Sequence, residues 1–552
     1  MLREVLVSYK KHAANSLEIG RFDTQFCKSS FFSLLLLFLP LDTPEMTNTL
    51  IVTVLVAYFA VLVGISFLTS RKADNSSFFL GERKSPWYLV SFGMIGASLS
   101  GVTFISVPGW VGDPGKQFSY MQIVFGYFVG YIVISYVLLP IYYRLNLTSI
   151  YEYLEKRFGF WSYKTGAFFF LGSRVLGASI RLLLVANVLQ AILFDDWGIP
   201  FEFTVIISVL LIWIYTNRGG IKTIVWTDTL QTAFMLAAVL LSVWFISGEL
   251  GLAEKGGMIS TISESNYSRI FFFDDILAGN HFFKHFLGGM FIAIGMTGLD
   301  QDMMQKNLSC KNTKDAQKNM MSMATILVFV NLIFLSLGAL LYMYVDAHPE
   351  LPFDPDHADL LFSVVALSDG VGPLIGILFL LGLIAAAYSS ADSALTSLTT
   401  SFSIDFLNLK DKEAKRQERI RKLVHVLMSV TIILVVIILR YTTDRSAIDL
   451  ILKFAGFTYG PLIGLFFFGI ISKRKVLDKL VPFVCLTSIL LTVFFWYFSA
   501  GGPGIEKDAA GILGYYKFGA EIIVLNALIT FIGLFLVSKS SAKIATYEDT
   551  NP

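Results

Sequence analysis

Positions 96–109 read GASLSGVTFISVPG, with glycine, serine and threonine where a simple membrane span would carry leucine and valine. A helix of this composition is predicted to unwind locally, and carbonyls freed within lipid are tolerated only where they line a cavity or hold an ion. Close helix packing through small residues is the alternative, because it draws on the same residue types. The surroundings place the stretch in lipid. The chain has 552 residues, 55% of them hydrophobic and 15% charged, which is more apolar sequence than one soluble core uses. Apolar runs of roughly 20 residues recur between short polar breaks, the length that a helical crossing of the hydrocarbon layer needs.

Reading outward from 96–109, helices are expected near 47–70, 86–110, 118–142, 160–193, 198–216 and 222–248. Seven more follow near 279–305, 317–346, 371–406, 420–440, 448–472, 479–499 and 519–538, about 13 in all. Lysine and arginine fall in alternate connections. They include Arg71, Lys72, Arg83 and Lys84, then Arg144, Lys156, Arg157 and Lys164, then Arg218 and Lys222, then Lys306 to Lys318, then KDKEAKRQERIRK at 410–422, then Lys473 to Lys479. Those connections are assigned to the cytoplasm, and acidic ones such as DAHPELPFDPDHAD at 346–359 to the other side. The N-terminus is then outside and the C-terminus inside, in a multi-pass protein of the bacterial inner membrane. The net charge of +2 gives no reason to expect nucleic acid as a partner, and no soluble segment is long enough to form an enzyme domain. Cys27, Cys310 and Cys485 are far apart and fit neither a metal nor a disulfide spacing.

Residues 1–45 read differently, as mixed polar sequence followed by FFSLLLLFLPL at 31–41, about half a span. This is either a signal-like stretch or an over-extended start, with the protein proper opening at Met46. The remaining organisation is a first peripheral helix within 46–80, two inverted repeats over 86–248 and 279–472, peripheral helices over 479–538 and a tail at 539–552.

The segment LGLIAAAYSSADSALTSLTTSFSID at 381–405 sets Ala386, Ser389, Ser390 and Ser393 on one helical face. Hydroxyls and a loose carbonyl suit sodium, a hard cation that prefers oxygen, although serines also bond to their own helix. Asp228 is an intramembrane carboxylate and therefore a functional candidate. Arg174 and Arg181, seven residues apart, lie on nearly one face at a separation of roughly 10 Å. In lipid each needs an acid or an aqueous pocket.

GGIKTIVWTDTLQ at 219–231 and DQDMMQKNL at 300–308 resemble the sodium:solute symporter family, as do LNLTSIYEYLEKRFG at 145–159 and FTYGPLIGLFFFGIISKR at 457–474. The resemblance runs from Met46 over nearly the whole chain. It implies an all-α polytopic membrane protein with the LeuT-type 5+5 inverted repeat, a carrier that moves a small-molecule solute across the lipid bilayer with Na+. It also implies a main sodium site from the carbonyls of Gly96, Leu99 and Ala386 and the hydroxyls of Ser389 and Ser390. Gly96 stands where members often have alanine. Some members, the sialic-acid transporters among them, build a second sodium site on the aspartate matching Asp228 with hydroxyls one turn beyond the serine pair. Those positions read Asp392 and Ser393 here, and the aspartate departs from the pattern. Arg174 matches the arginine that grips the solute carboxylate in sialic-acid carriers, the alternative being an internal ion pair with Asp228 or Asp392. Arg181 has no counterpart.

Ser98, Ser100 and Thr103 match solute-facing positions of those carriers, and Gln122 stands near the position of a solute-binding glutamine, itself Val124 here. The glutamate, asparagine and lysine of sugar-specific members have no match. The expected solute is therefore anionic or zwitterionic, a sialic acid or another carboxylate, with a sugar or an amino acid as alternatives within the family. From other classes, a membrane sensor is disfavoured by the short tail, and a passive channel would leave the oxygen cluster without a role.

Overall fold

The structure is a computed structural model that describes residues 48–70, 75–195, 197–409, 412–442, 447–506 and 509–539. The stretch 1–45, Cys27 and the tail beyond 539 lie outside the described residues. Helices dominate because nearly every apolar run exceeds the length a strand would use, and within lipid a helix bonds all of its own backbone. In chain order they are α1 (Asn48–Ser70), α2 (Trp87–Trp110), α3 (Tyr120–Val133, prolonged to Arg144), α4 (Phe160–Leu189), α5 (Phe201–Gly219), α6 (Ile221–Glu249) and α7 (Phe282–Ala293). There follow α8 (Gln301–Leu308), α9 (Thr313–Ala347), α10 (Gly372–Ser401), α11 (Ala414–Thr442), α12 (Ala447–Ile471), α13 (Val481–Tyr497) and α14 (Ile522–Leu536). One antiparallel pair, Lys475–Val476 with Ser538–Lys539, ties the ends of α12 and α14 together.

Among the described residues, ten helices are long and apolar enough to cross a bilayer, and the bent pair α7 and α8 passes the same length and composition test when taken together. The expected spans at 198–216 and 519–538 appear as shorter apolar helices, Phe201–Asn217 and Ile522–Leu536. The expected continuous span at 279–305 is corrected. It bends by 63° between Gly298 and Gln301, because Asp300 caps a separate helix by accepting from the Asp302 amide at 2.9 Å. The break in α2 falls at Ser100, whose φ of 45° and ψ of 170° interrupt an otherwise helical run. A non-glycine residue held there costs about 1–3 kcal/mol, and such strain persists where the surroundings over-determine it.

Small residues set how closely the helices approach. A Cβ on Gly126 of α3 would sit 2.1 Å from the Phe286 carbonyl of α7, and one on Gly289 of α7 would sit 2.2 Å from the Ile123 carbonyl. The two backbones are therefore in contact, as small-residue membrane interfaces allow. Helix α2 is enclosed by α6, α9 and α10, and nearly all of its residues from Val90 onward are buried. A span this enclosed sees protein rather than lipid. Gly126→Leu is expected to force α3 from α7 and cost at least about 1–3 kcal/mol, read as a lower unfolding temperature in detergent, whereas the exposed substitution Phe329→Leu should leave it unchanged.

Candidate functional site

The break in α2 faces α10. A Cβ on Gly101 would lie 3.7 Å from the Ala387 Cα, and the 389–396 face of α10 is fully buried. Ser389 donates its hydroxyl to Asp228 Oδ1 at 2.6 Å. With its proton committed to a carboxylate, the Ser389 oxygen keeps its lone pairs for a cation. The hydroxyls of Ser390, Ser393 and Thr396 are buried and have no hydrogen-bond partner among the described residues. Orphaned oxygens in a dry interior are expensive, and a bound monovalent cation would satisfy those nearest the α2 break. The donor set of hydroxyl and carbonyl oxygens fits sodium. Gly96 has a packing reason of its own, since a Cβ there would meet Thr232 Oγ1 at 2.1 Å. Alanine at this position would clash with Thr232.

The second break, between α7 and α8, is built differently. The Gly298 carbonyl accepts from Tyr142 at 2.9 Å and the Leu299 carbonyl from Tyr151 at 2.8 Å. Two tyrosine hydroxyls thus satisfy the backbone freed by the bend, while no side chain among the described residues donates to the Gly96 or Leu99 carbonyl. One break is scaffolded and the other is left open.

Helix α8 is buried along its whole length. Gln301 bridges to the Ile150 amide and the Thr148 carbonyl, and Gln305 donates to the Phe79 carbonyl and to Thr400. Asp302 pairs with Arg174 of α4. Lys306 Nζ lies 2.7 Å from Asp228 Oδ2, an ion pair with both side chains 1% exposed and without hydrogen-bond alignment. Asp300 accepts from Tyr459 of α12 at 2.5 Å. These contacts correct several expectations. Lys306, counted among the cytoplasmic basic residues, is buried in an ion pair, because α8 continues the span past residue 305. At the suggested second sodium site of Asp228, Asp392 and Ser393, Asp228 has the Lys306 ammonium beside it and Asp392 accepts from Tyr215 at 2.9 Å. Arg174 has an acidic partner, but it is Asp302 rather than Asp228 or Asp392.

A cavity of about 100 Å³ lies beside the α2 break, lined by Ser98, Ser100, Thr103, Arg174, Arg181 and by Tyr120, Tyr127 and Tyr131 of α3. Five of the six residues expected to touch solute are therefore brought together. Gln122 is not among them. Its amide donates to the Asn280 carbonyl, pairs with His285 and accepts from the Phe272 amide, so it fastens the connection before α7. Arg181 is 8% exposed. Its Nε is unpartnered, and no carboxylate among the described residues lies within ion-pair distance of it. The sequence reading missed Asp300, Asp302, Lys306, Tyr142, Tyr151 and Tyr459. Asp302 and Lys306 carried a signal, since they are opposite charges four residues apart at the end of an apolar run.

The sequence model of the Sodium:solute symporter family matches residues 78–476. The sodium/sialic acid symporter NanT of Aliivibrio fischeri is 27% identical over 442 residues, which cover 77% of this chain and 84% of that one. Human sodium-coupled monocarboxylate transporter 1 is 29% identical over 290 residues, 50% of this chain and 45% of that one. A solved Na+-coupled sialic acid symporter, substrate-bound and outward-open, superimposes with a TM-score of 0.72 at 21% identity, covering 89% of this chain and 98% of that chain. The fold is thus the LeuT-type fold that the sequence motifs imply.

Arg174→Ala strands Asp302 as an uncompensated buried charge and is expected to destabilise by about 3–5 kcal/mol. The double variant Arg174→Ala/Asp302→Ala should recover much of that loss. Chemical denaturation of the two single variants and the double variant checks this, and additive losses would show that the pair is not coupled.

Proposed function

The chain belongs to the sodium:solute symporter family, and from that premise we propose that it imports an organic anion of the sialic-acid type, gripped at its carboxylate by Arg181. One observation carries this reading. Arg174 and Arg181 both line the cavity, but Arg174 is neutralised by Asp302 and Arg181 has no acidic partner among the described residues. A planar guanidinium left unpaired at the wall of a cavity is suited to a carboxylate, which it meets with two parallel hydrogen bonds. Ser98, Ser100 and Thr103 supply hydroxyls for the polar remainder of the solute. The similarity to NanT, named for sodium and sialic acid, points the same way.

Sodium is held by the α2 carbonyls at Gly96 and Leu99, the Ala386 carbonyl and the hydroxyls of Ser389 and Ser390. With sodium bound, α2 and α10 are joined at the break, and Ser98 and Ser100, which flank Leu99, are fixed against the cavity. Sodium therefore favours the arrangement that binds solute, and by linkage solute favours sodium. Separating α2 from α10 on the cytoplasmic side releases both. The repeats over 86–248 and 279–472 each open on a broken span, the geometry for rocking around a central site. The basic connections support a C-terminus in the cytoplasm, and the bacterial relative NanT supports the bacterial inner membrane as the location.

A second reading within this chemistry is a small monocarboxylate. The cavity volume of about 100 Å³ is below the roughly 300 Å³ at which ligand pockets usually begin, so a nine-carbon sugar acid enters only once α2 and α12 part. A three-carbon acid asks for less opening, and human sodium-coupled monocarboxylate transporter 1 is among the relatives.

The test is equilibrium binding of labelled N-acetylneuraminate to the purified protein in sodium and in potassium, with lactate, proline and glucose as competitors. Sodium-dependent binding blocked by sialic acids alone is the expected result, and displacement by lactate at lower concentration would favour the second reading. Arg181→Ala is expected to weaken solute binding about 10- to 100-fold, the worth of a charge-assisted contact, and to leave stabilisation by sodium intact. Undiminished binding by that variant would contradict the role given to Arg181.

A further inference from the structure

Asp228 is fully buried, and both of its carboxylate oxygens are engaged. Oδ1 accepts the Ser389 hydroxyl at 2.6 Å, and Oδ2 lies 2.7 Å from Lys306 Nζ. The resemblance to sialic-acid carriers would have a transported sodium ion at such an aspartate. We propose that in this chain Lys306 is a tethered cation standing permanently in that place, so that the carrier binds one sodium ion per cycle. The proposal rests on the sodium-symport reading above.

Three observations support it. The ammonium is delivered by a helix that cannot release it. Flanking Lys306, Gln305 is bound to the Phe79 carbonyl and Thr400, and Asn307 takes the Asn319 amide at 2.7 Å. Four residues earlier, Asp302 is paired with Arg174. A lysine so anchored stays when transported ions leave.

Charge points the same way. Lys306 already neutralises Asp228, and both are almost fully buried, so a sodium ion added at that carboxylate would stand beside an ammonium as an uncompensated positive charge in a dry interior, at high cost.

Finally, Ser389 links the two cations. Its hydroxyl proton lies on Asp228, and its oxygen faces the proposed sodium position, so Lys306 holds the carboxylate that orients a sodium ligand. A single sodium ion moving with a monoanion carries no net charge, so uptake of a monocarboxylate is expected to ignore the membrane potential.

The experiment is thermal unfolding of the full-length protein as a function of sodium concentration, with choline chloride holding ionic strength constant and no solute present. The wild type is expected to titrate with a Hill coefficient of about 1. Lys306→Met exposes Asp228 to a second ion, and the coefficient should rise toward about 2. The double variant Asp228→Asn/Lys306→Met removes both charges and should return it to about 1. A wild-type coefficient near 2, or a folded Lys306→Met that still takes one ion, would overturn the proposal while leaving symport standing. If Lys306→Met does not fold, the ratio of labelled sodium to labelled solute entering wild-type proteoliposomes decides, with 1:1 expected and 2:1 contrary. Absence of any sodium effect on the wild type would overturn both this proposal and the symport reading beneath it.

Discussion

A polar helix cannot lie in a membrane interior unless each of its side chains finds a partner, and α8 (Gln301–Leu308) is such a helix, buried at every position. Its side chains reach α4 through Arg174, α6 through Asp228, α10 through Thr400 and the 148–150 connection through Gln301. The Asp300 cap adds α12 through Tyr459. Each contact exists because leaving it unmade would cost more than forming it gains. The elements around the cavity are therefore held in mutual register by one short segment, and the charges that look expensive in the sequence are the means of that registration.

Against this scaffold, the two broken spans divide the work. Tyr142 and Tyr151 close off the carbonyls at Gly298 and Leu299, so that break positions α8 and has no backbone oxygen to spare. The break at Ser100 keeps its strain and receives no side-chain donor at Gly96 or Leu99 among the described residues. Opposite it, Ser390, Ser393 and Thr396 carry unsatisfied hydroxyls. The dielectric that makes these orphaned oxygens costly also makes a cation bound among them strongly held. Sodium binding and helix joining are then the same event, which is what coupling requires.

Much of this was legible in the chain itself. The spans follow from apolar length, and the unwound point of α2 follows from GASLSGVTFISVPG, which sets three glycines among four hydroxyl residues. The serine face of α10 follows from helical spacing. What was not legible depends on which buried group meets which. Lys306 was assigned to the cytoplasm because counting basic residues near span ends does not distinguish a loop lysine from one carried inward by a bend. Arg174 and Arg181 share a face, and only the position of Asp302 separates the neutralised one from the open one. Gln122 sits one turn from the cavity, but its amide is consumed by Asn280, His285 and Phe272. The glycine at position 96 reads as neutral until Thr232 is seen against it.

The account stands on the claim that sodium moving inward drives the solute, and accumulation in proteoliposomes tests it most directly. Labelled N-acetylneuraminate would be followed with an inward sodium gradient, with equal sodium on both sides, and with potassium in place of sodium. A transient accumulation above the external concentration under the gradient, collapsing to simple equilibration when sodium is equal and absent in potassium, is the predicted result. Equilibration at one rate under all three conditions would show a passive path through the same fold and contradict sodium coupling.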